Sequence, residues 1–328
     1  MTKKSILLIA SGGGHTGYCR ALAERFYEYK KNYSFKLDAV IPCLDKWSKK
    51  ILEDYVDNIF CINKLRQPYE KHYKMIKNFP IALIQSIKRI KRYDYVIASG
   101  SNHSLLPTLI AKLKNTSSKI LAIESHDRFI TRGKTISLLS KTIAIPILHW
   151  KEQKKLYRNG IVVGPIVKKR KYEISNKGYV LVIGGFEGDK KLYDKLVKTP
   201  LTNVVLQTGR LNPEHYRKLR PDWIVFDFDP DIDKWIAGAR VVIGHTSVTL
   251  LEAAITYRKP VIIYWNPEWS SAATFQDVIL FSKKINAQVL VDTDPNTILE
   301  TINKVKPPPD IREDGAKKLV KLILESKI

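Results

Sequence analysis

The stretch "IASGGGHTG", from Ile9 to Gly17, decides the fold of the first half of the chain. It ends an apolar run that predicts a strand over 5–10 and leads into a helical pattern over 16–30, so it predicts a strand, a glycine turn and a helix. Further short apolar runs predict buried strands at 36–41, 94–98 and 119–123. Helix-length segments separate these strands, and that alternation is typical of a parallel sheet with helices on both faces.

The same opening recurs in the second half of the chain. "YVLVIGGFEGD", at 179–189, is again an apolar strand that enters a glycine turn. Four more buried-strand patterns follow it: "NVVLQTG", "WIVFDFD", "ARVVIGHTS" and "KPVIIYW". The sequence therefore predicts an α/β protein with two doubly wound, Rossmann-like domains. Ligands of such folds bind at the carboxyl ends of the strands, so we expect the two glycine turns to face a cleft.

The chain is strongly basic. Its 328 residues include 56 Lys and Arg against 32 Asp and Glu, which gives a formal net charge of +24. A lysine-rich solvated surface accounts for such a charge in part, but the charge also favours a partner that carries phosphates, whether nucleic acid, lipid headgroups or a nucleotide. No nucleic-acid-binding motif accompanies it, so we predict no nucleic-acid partner. No uncharged apolar run reaches the roughly 18 residues that span a bilayer.

The three cysteines, Cys19, Cys43 and Cys61, are an odd number and lack the spacing of metal ligands. We expect each to be a small core residue of a protein in a reducing compartment rather than half of a disulfide. Because Lys3 and Lys4 precede only a strand's length of apolar residues, we also expect no signal peptide.

The first glycine turn has the G-x-G-x-x-G spacing of a dinucleotide-binding site. Such a site also needs an acidic residue at the end of the second strand, whereas Asp38 lies inside that strand and Asp45 follows a proline. The turn also lacks the Gly-Lys-Ser/Thr of a P-loop. Three consecutive glycines before a helix instead present backbone N–H groups to an anion. His15 is then either a proton acceptor or a loop residue that is hydrogen-bonded to the backbone.

Two other predicted strand ends carry similar chemistry. Gly100 to Ser104 lead from a strand into a helix, and Glu124 to Asp127 follow the strand at 119–123. The first of these loops presents a second helix N-terminus to an anion. The histidines and acids of the three loops could also bind a metal, but they lack local ligand spacing such as H-x-H or H-E-x-x-H, so we predict none.

Four stretches together resemble a known family: "SGGGHTG", "SGSNHSLLPTLIAKL", "AIESHDRFITRGKTISLLS" and "ILHWKEQKKLYRNGIVVGPIV". They look like the membrane-recruiting subunit of the eukaryotic transferase that adds the second N-acetylglucosamine to dolichyl-diphosphate-GlcNAc. The second half resembles the catalytic subunit of that enzyme and the donor domain of the bacterial lipid II-forming transferase. The chain thus resembles a single-chain, archaeal or bacterial version of a GT-B glycosyltransferase of family 28.

The resemblance implies inverting transfer of N-acetylglucosamine from UDP-GlcNAc to a polyprenyl-diphosphate-linked GlcNAc. No cofactor or metal is expected. His15 would be the general base, with Glu124 as its rival. The residues that would bind the lipid-linked acceptor are Gly12, Gly13, Gly14, Thr16, Gly100, Ser101, Asn102, His103 and His126.

The resemblance also assigns the donor site. The residues expected at the UDP-sugar are Gly184, Gly185, His245, Thr246, Ser247, Thr249, Glu252, Gln276 and Asp277. Glu252 would hold the ribose, and Gln276 with Asp277 would contact the sugar hydroxyls. Phe186 departs from the small polar residue expected in the glycine turn, and Thr246 or Ser247 could also be a helix cap. "DFDPDID", at 227–233, is read as helix caps beside the uracil rather than as a metal motif.

The predicted domains are an acceptor domain over 1–167, a linker over 168–177, a donor domain over 178–308 and a C-terminal helix over 309–328 that packs back on the acceptor domain. Residues 64–92 mix apolar and basic side chains, which favours a helix in a membrane interface, or an amphipathic helix on the sheet. We expect a peripheral protein on the cytoplasmic face of a membrane. The alternatives are another UDP-sugar-dependent glycolipid transferase and a non-catalytic membrane scaffold for a separate transferase, the second of which the altered donor turn suggests.

Overall fold

The computed structural model describes residues 3–66, 70, 73–267, 273–291 and 294–328, and the chain divides into two compact units. The first unit comprises Met1–Lys168 together with Glu313–Ile328, and the second comprises Lys169–Arg312. The segment predicted as a linker contains no helix or strand, and its last residues belong to the second unit. There the Ser175 amide donates to the Ala237 carbonyl, and Lys177 does the same to Gly238.

The first unit is built on a seven-stranded parallel sheet. Its strands are β1 (Lys4–Ile9), β2 (Phe35–Pro42), β3 (Asn58–Ile62), β4 (Tyr95–Ala98), β5 (Lys119–Ile123), β6 (Ala144–Leu148) and β7 (Ile161–Val162). The spatial order is β3-β2-β1-β4-β5-β6-β7. The chain therefore winds in one direction from β1 to β3 and in the other from β4 to β7. This reversal places a topological switch point between the carboxyl ends of β1 and β4.

The second unit repeats the plan with six parallel strands. They are β8 (Val180–Ile183), β9 (Val204–Gln207), β10 (Ile224–Phe226), β11 (Val241–Gly244), β12 (Val261–Trp265) and β13 (Gln288–Val291). The spatial order is β10-β9-β8-β11-β12-β13, so the switch point lies between β8 and β11. In both sheets the central strands are buried on both faces, which explains their continuous apolar sequences.

Helices alternate with the strands of both sheets, and the last two helices follow the final strand. The helices are α1 (Gly14–Tyr29), α2 (Lys46–Leu52), α3 (Tyr73–Arg89), α4 (Leu105–Lys114), α5 (Lys134–Thr142), α6 (Lys190–Leu196), α7 (Pro213–Leu219), α8 (Ile232–Gly238), α9 (Val248–Ile255), α10 (Phe275–Ile285), α11 (Pro295–Lys304) and α12 (Gly315–Leu324). Helix α1 begins two residues earlier than the sequence predicts. The turn before it is made by Gly12 and Gly13, with φ of 85° and 56°, so the helix starts immediately after them.

Helix α12 packs on α1 of the first unit. The apolar stripe of α12 is buried there: Ala316, Leu319, Val320 and Ile323. At its N-terminus the carboxylate of Asp314 is 2.9 Å from the buried guanidinium of Arg25, and at its C-terminus Lys4 donates to the Ile323 carbonyl at 3.1 Å. The contacts at both ends fix the position of α12 along α1.

The expectation that no cysteine is disulfide-bonded is wrong for two of the three. Cys43 and Cys61 form a disulfide, whereas Cys19 is a free, buried thiol. Cys61 lies in β3, which pairs with β2, and the chain reaches Cys43 directly after the end of β2. The two α-carbons are therefore only 4.7 Å apart although 18 residues separate them in the sequence.

Candidate functional site

The loops after β1 and β4 meet at the switch point of the first unit. After β1, Gly13 and Gly14 are exposed, and no atom lies within 4 Å of the place where a β-carbon on Gly13 would stand. Gly13 is the N-cap of α1, whose first turn carries no acidic side chain. Exposed N–H groups and the positive end of the helix dipole make this turn suited to an anion.

His15 lies between the two loops. Its Nδ1 is 2.7 Å from the Ser99 carbonyl, and a β-carbon on Gly100 would stand 2.8 Å from its Cε1. Because a carbonyl can only accept, Nδ1 carries the proton in the neutral ring and the lone pair is on Nε2. The sequence analysis left open whether His15 accepts a proton or is hydrogen-bonded to the backbone. The hydrogen bond to the backbone is present, and it leaves Nε2 able to take a proton.

The electrostatic surroundings of His15 keep its ring neutral. Burial lowers its pKa below the ordinary 6.5, and the charges of Lys64 and Arg128 lower it further. The Ser99 carbonyl and the carboxylate of Asp127 act in the opposite direction. At neutral pH the His15 ring is thus uncharged, and its Nε2 atom can accept a proton.

Gly12 is enclosed by side chains of three different segments. Its amide donates to the Thr16 hydroxyl at 3.2 Å, and that hydroxyl is 2.7 Å from the hydroxyl of Ser48. A β-carbon on Gly12 would stand 3.0 Å from both Asp45 Oδ2 and Lys64 Nζ. Thr16, predicted to bind the acceptor, thus supports the turn from inside. Lys64 is a cation at the turn that the sequence analysis placed in the membrane-contact segment instead.

The loop after β4 is strained and contains a buried histidine. Ser101 has φ of 58° and ψ of 169°, a conformation that non-glycine residues rarely adopt. His103 is 2% exposed, and neither of its ring nitrogens has a hydrogen-bond partner among the described residues. Burial, aided by the charge of Lys64, lowers the pKa of His103 to about 3. The neighbouring Asn102 donates to the Arg66 carbonyl at 3.2 Å.

Both carboxylate oxygens of Glu124 are engaged within the protein. Oε1 accepts from the Ser125 amide at 2.8 Å, and Oε2 accepts from the Gly133 amide at 2.9 Å and the Tyr157 hydroxyl at 2.5 Å. The side chain is 1% exposed, and burial raises its pKa against the effect of these donors. Glu124 therefore anchors the loop that leads to the N-terminus of α5.

The next residues of that loop are bound to α1. Tyr18, one turn after His15, accepts from the His126 amide at 3.1 Å, and its oxygen is 2.6 Å from His126 Nδ1. Asp127 is 5% exposed and accepts from the Ser125 hydroxyl at 2.6 Å. Asp127, which the sequence analysis considered only as a metal ligand, is thus bound within its own loop, and its charge acts to raise the pKa of His15.

The switch point of the second unit has a similar arrangement with the roles of the strands exchanged. Here the glycine turn follows β8 and the histidine follows β11. A β-carbon on Gly185, whose φ is 63°, would stand 2.8 Å from Cε1 of His245. One on Gly184 would overlap the Tyr193 hydroxyl, so both positions require glycine.

Helix α9 begins beside this turn. Ser247 is its N-cap and accepts from the Leu250 amide at 3.1 Å, as the helix-cap alternative predicts. Thr246 and Thr249 are partly exposed, whereas Glu252 is 2% exposed. Glu252 thus lies inside the second unit, one turn into the helix.

The remaining donor-site candidates, Gln276 and Asp277, lie in the first turn of α10, and Phe186 lies in the glycine turn after β8. Asp277 is buried in the capping box of α10, where its carboxylate accepts from the Thr274 amide and hydroxyl, while Gln276 is exposed beside it. Phe186 is 38% exposed, and the Arg210 guanidinium lies 5.8 Å from the centre of its ring.

The aspartates after β10 bind neighbouring protein groups. Asp229 accepts from Trp235 Nε1 at 2.9 Å and from the Asp231 amide, and Asp231 accepts from the Tyr172 hydroxyl. Asp231 is the N-cap of α8, although its side chain makes no capping hydrogen bond. Among the described residues, no cluster of three or more His, Cys, Asp and Glu has the arrangement of a metal site.

No family profile and no curated protein matches the sequence. Among solved structures, the chain is similar to MurG from Acinetobacter baumannii, with 15% identity, a TM-score of 0.61 and coverage of 99% of this chain and 100% of that one. It is also similar to the glycotransferase of kitacinnamycin, with 10% identity, a TM-score of 0.62 and coverage of 100% and 95%. A UDP-GlcNAc 2-epimerase from Neisseria meningitidis, bound to UDP-GlcNAc, has 14% identity, a TM-score of 0.56 and coverage of 99% and 100%.

At these identities the likeness shows the fold. The two parallel sheets, each with its switch point, and the coverage of whole chains confirm the predicted GT-B architecture of two Rossmann-like units. Glycosyl transfer and epimerisation both occur among the named neighbours, so the activity has to be argued from the site.

Proposed function

We propose that the protein is an inverting glycosyltransferase that moves N-acetylglucosamine from UDP-GlcNAc to a hydroxyl of a lipid-diphosphate-linked sugar. The observation that carries the proposal is the position and protonation state of His15. A neutral imidazole with its proton fixed on Nδ1 stands at the switch point of the first unit, beside a turn that suits an anion. The reaction requires a base and a diphosphate site together, and this loop provides both.

His15 rather than Glu124 is the base in this proposal. Its Nε2 takes the proton of the acceptor hydroxyl as that oxygen bonds to the anomeric carbon of the donor sugar. The bond from that carbon to the diphosphate breaks, and UDP leaves with the bonding electrons. Glu124 is buried, and both of its carboxylate oxygens already accept hydrogen bonds, which supports a structural role for this residue.

The turn at Gly12 to Gly14 is our proposed site for the acceptor's diphosphate. Exposed amides at the start of α1 supply hydrogen-bond donors, and Lys64 supplies a positive charge next to Gly12. The loop at Gly100 to Ser104 adds the start of α4 and the neutral ring of His103.

The second unit is our proposed site for the UDP-sugar. The glycine turn at Gly184 and Gly185 and the N-terminus of α9, with Thr246 and Thr249, would stabilise the diphosphate as charge develops on the leaving group. The resemblance assigns the ribose to Glu252 and the sugar hydroxyls to Gln276. We assign no function in binding sugar to Asp277, because its carboxylate caps α10.

Peripheral contact with a membrane completes the proposal. Helix α3 packs one side on the core through Ala82 and Leu83, yet large apolar side chains also cover its outer side. These exposed residues are Tyr73, Ile76, Phe79, Ile81, Ile84 and Ile87. Lysines at 74, 77 and 88 accompany them, which suits an interface with anionic lipid. No helix among the described residues has the length and apolarity to cross a bilayer.

We further propose, from the sequence resemblance, that the natural acceptor is a polyprenyl- or dolichyl-diphosphate-GlcNAc used in assembling lipid-linked oligosaccharides. The test is turnover of UDP-GlcNAc with a synthetic lipid-diphosphate-GlcNAc, followed by mass and linkage analysis of the product. A disaccharide with a β-linked second sugar is the expected result.

Two other outcomes of that assay would overturn the proposal. Tight UDP binding without transfer to any lipid-diphosphate acceptor would favour the non-catalytic scaffold. Release of an epimerised UDP-sugar without any acceptor would favour the reaction named for the epimerase neighbours.

A further inference from the structure

The disulfide of the first unit joins the two segments that enclose the first glycine turn. Cys43 lies two residues before Asp45, and Cys61 lies three residues before Lys64. A β-carbon on Gly12 would stand 3.0 Å from both Asp45 Oδ2 and Lys64 Nζ. Two or three residues thus lead from each sulfur to the turn, so the covalent bond restrains both side chains that lie against Gly12.

Hydrogen bonds connect the segment after Cys43 to the turn. Asp45 accepts from the Ser48 amide at 2.9 Å and from the Ser48 hydroxyl at 2.7 Å. That hydroxyl is 2.7 Å from the hydroxyl of Thr16, which accepts from the Gly12 amide at 3.2 Å. A displacement of Asp45 therefore reaches the backbone of the turn through two hydroxyl groups.

The residue between Cys43 and Asp45 is strained. Leu44 has φ of 70°, in the left-handed region that a residue with a β-carbon rarely adopts. Its side chain is 98% exposed, so no packing compensates for the strain. The neighbours of Leu44 hold it in this conformation, since Cys43 is bonded to Cys61 and the Asp45 amide donates to the Pro42 carbonyl at 3.1 Å. Cleavage of the disulfide removes one of these restraints and allows the loop to relax.

The disulfide also has surroundings that favour its reduction. Both cysteines are partly exposed, so a reductant can reach the sulfurs. Arg89, the last residue of α3, donates to the Cys61 carbonyl, and its Nη1 is 3.1 Å from Cys61 Sγ and 3.7 Å from Cys43 Sγ. A guanidinium beside a sulfur stabilises the thiolate that forms when the bond breaks.

We propose that Cys43 and Cys61 are a redox-active pair that sets the affinity of the first glycine turn for the acceptor's diphosphate. The inference rests on the proposed diphosphate site at Gly12 to Gly14. In the disulfide form the ammonium group of Lys64 is fixed next to Gly12, where it stabilises the bound anion. In the dithiol form the two segments are no longer joined, and the turn binds the diphosphate more weakly.

The reductant is a dithiol, either a small molecule or a protein. One of its thiolates attacks Cys43 Sγ, the bond between the two cysteines breaks, and Cys61 leaves as a thiolate beside Arg89. The second thiolate of the reductant then attacks its own sulfur in the mixed disulfide and releases Cys43. Two electrons pass from the dithiol to the protein, the reductant becomes a disulfide, and its two protons are available to the two cysteines.

The test is binding of inorganic pyrophosphate to the oxidised and the reduced full-length protein, measured by calorimetry. Saturating UDP is present so that the proposed donor site is already filled. We expect the oxidised protein to bind pyrophosphate about tenfold more tightly, because one charge-assisted contact depends on the fixed position of Lys64. Alkylation and mass measurement verify the state of the thiols, and reoxidation should restore the affinity.

The variant Cys43→Ser/Cys61→Ser should bind pyrophosphate as the reduced wild type does, with or without reductant. Should it fail to fold, the reduced wild type, whose fold is checked by circular dichroism, provides the same comparison. Cys19→Ala is the matched control, since it removes the buried free thiol and should keep the full response to reductant.

Two further variants test the parts of the inference separately. Lys64→Gln should bind pyrophosphate weakly in both redox states. Arg89→Gln should slow reduction by a dithiol about threefold, because the leaving thiolate loses its cation, and should leave the affinity of the oxidised protein unchanged.

The outcomes separate this inference from the function on which it rests. Equal affinity of the oxidised and the reduced protein would overturn the inference and leave the diphosphate site intact. A disulfide that a dithiol cannot reduce in the folded protein would overturn it as well. Failure of both forms to bind pyrophosphate would refute the diphosphate site itself. Redox-dependent binding without transfer to any lipid acceptor would support the redox-active pair and refute the proposed reaction.

Discussion

The imidazole of His15 lies against the α-carbon of Gly100, close enough that a β-carbon there would stand 2.8 Å from Cε1 and 2.9 Å from Nδ1. The second unit repeats the relationship, with His245 over Gly185 at 2.8 Å. In each unit a histidine from one side of the switch point covers a glycine from the other side. In each unit the absence of a β-carbon on the glycine therefore leaves room for the histidine ring between the two neighbouring loops.

Gly100→Ala should displace the His15 ring. The substitution adds strain at a φ of 109°, and the new methyl group occupies the place of the imidazole edge. Because small misplacements of a reacting group are costly, we expect turnover to fall by about a hundredfold. Gly178→Ala is the matched control, since its φ is 82° but its nearest contact is an ordinary 3.5 Å. Equal loss of activity in the two variants would show that only strain matters.

Glu124→Gln should destabilise the protein and leave the acid limb of kcat in place. The amide nitrogen cannot accept, so at least one of the three donors at this buried site loses its partner, at a cost of about 1–3 kcal/mol. Urea unfolding measures this loss, and Tyr157→Phe should produce part of it. A stable Glu124→Gln protein with turnover reduced a hundredfold would instead return the role of base to Glu124.

The sequence predicts most of the fold but only part of the site. Continuous apolar runs reveal buried parallel strands, because such strands are covered on both faces. They do not reveal which strands are neighbours, and the Cys43–Cys61 bond depends on β2 lying beside β3. The same limit hides Lys64, which follows β3 and reaches Gly12, after β1, because only β2 lies between those two strands in the sheet.

His103 should make the protein less stable in mild acid. Its pKa is lowered to about 3 by burial, whereas in the unfolded chain it is near 6.5. The unfolded state therefore binds the proton first, and stability is lost as pH falls from 6.5 towards 3. Between pH 6.5 and pH 5 the loss is about 2 kcal/mol.

His103→Leu isolates that contribution. Other buried histidines whose pKa is lowered, among them His149, also reduce stability in acid, and they do so equally in the wild type and in the variant. The difference in the free energy of unfolding between the two proteins therefore reports on His103 alone. We expect the variant to match or exceed the wild type in urea unfolding at neutral pH, because the unpartnered imidazole is gone. It should then lose less stability at pH 5. Parallel losses in the two proteins would contradict the assignment.

The Cys43–Cys61 disulfide should contribute about 3 kcal/mol to the free energy of unfolding, since it closes a loop of 18 residues in the unfolded chain. A dithiol reductant should lower the urea midpoint of the wild type to that of the Cys43→Ser/Cys61→Ser double variant. The same reductant should leave the double variant unchanged, because the remaining Cys19 is unpaired and buried. A wild-type midpoint that is insensitive to reduction would show that the bond adds no stability.

Ile84→Glu/Ile87→Glu should weaken binding to vesicles that contain anionic phospholipid. Both side chains of α3 are about half exposed, at 52% and 47%, so removing them costs the folded protein little. If they enter the lipid interface, the loss of apolar burial and the added negative charges should reduce affinity by at least tenfold. Cosedimentation measures this, and the wild-type affinity should fall as salt rises.

Ile224→Glu, which changes an equally exposed isoleucine on β10, is the control and should bind as the wild type does. Equal cosedimentation of all three proteins would exclude α3 as the contact surface.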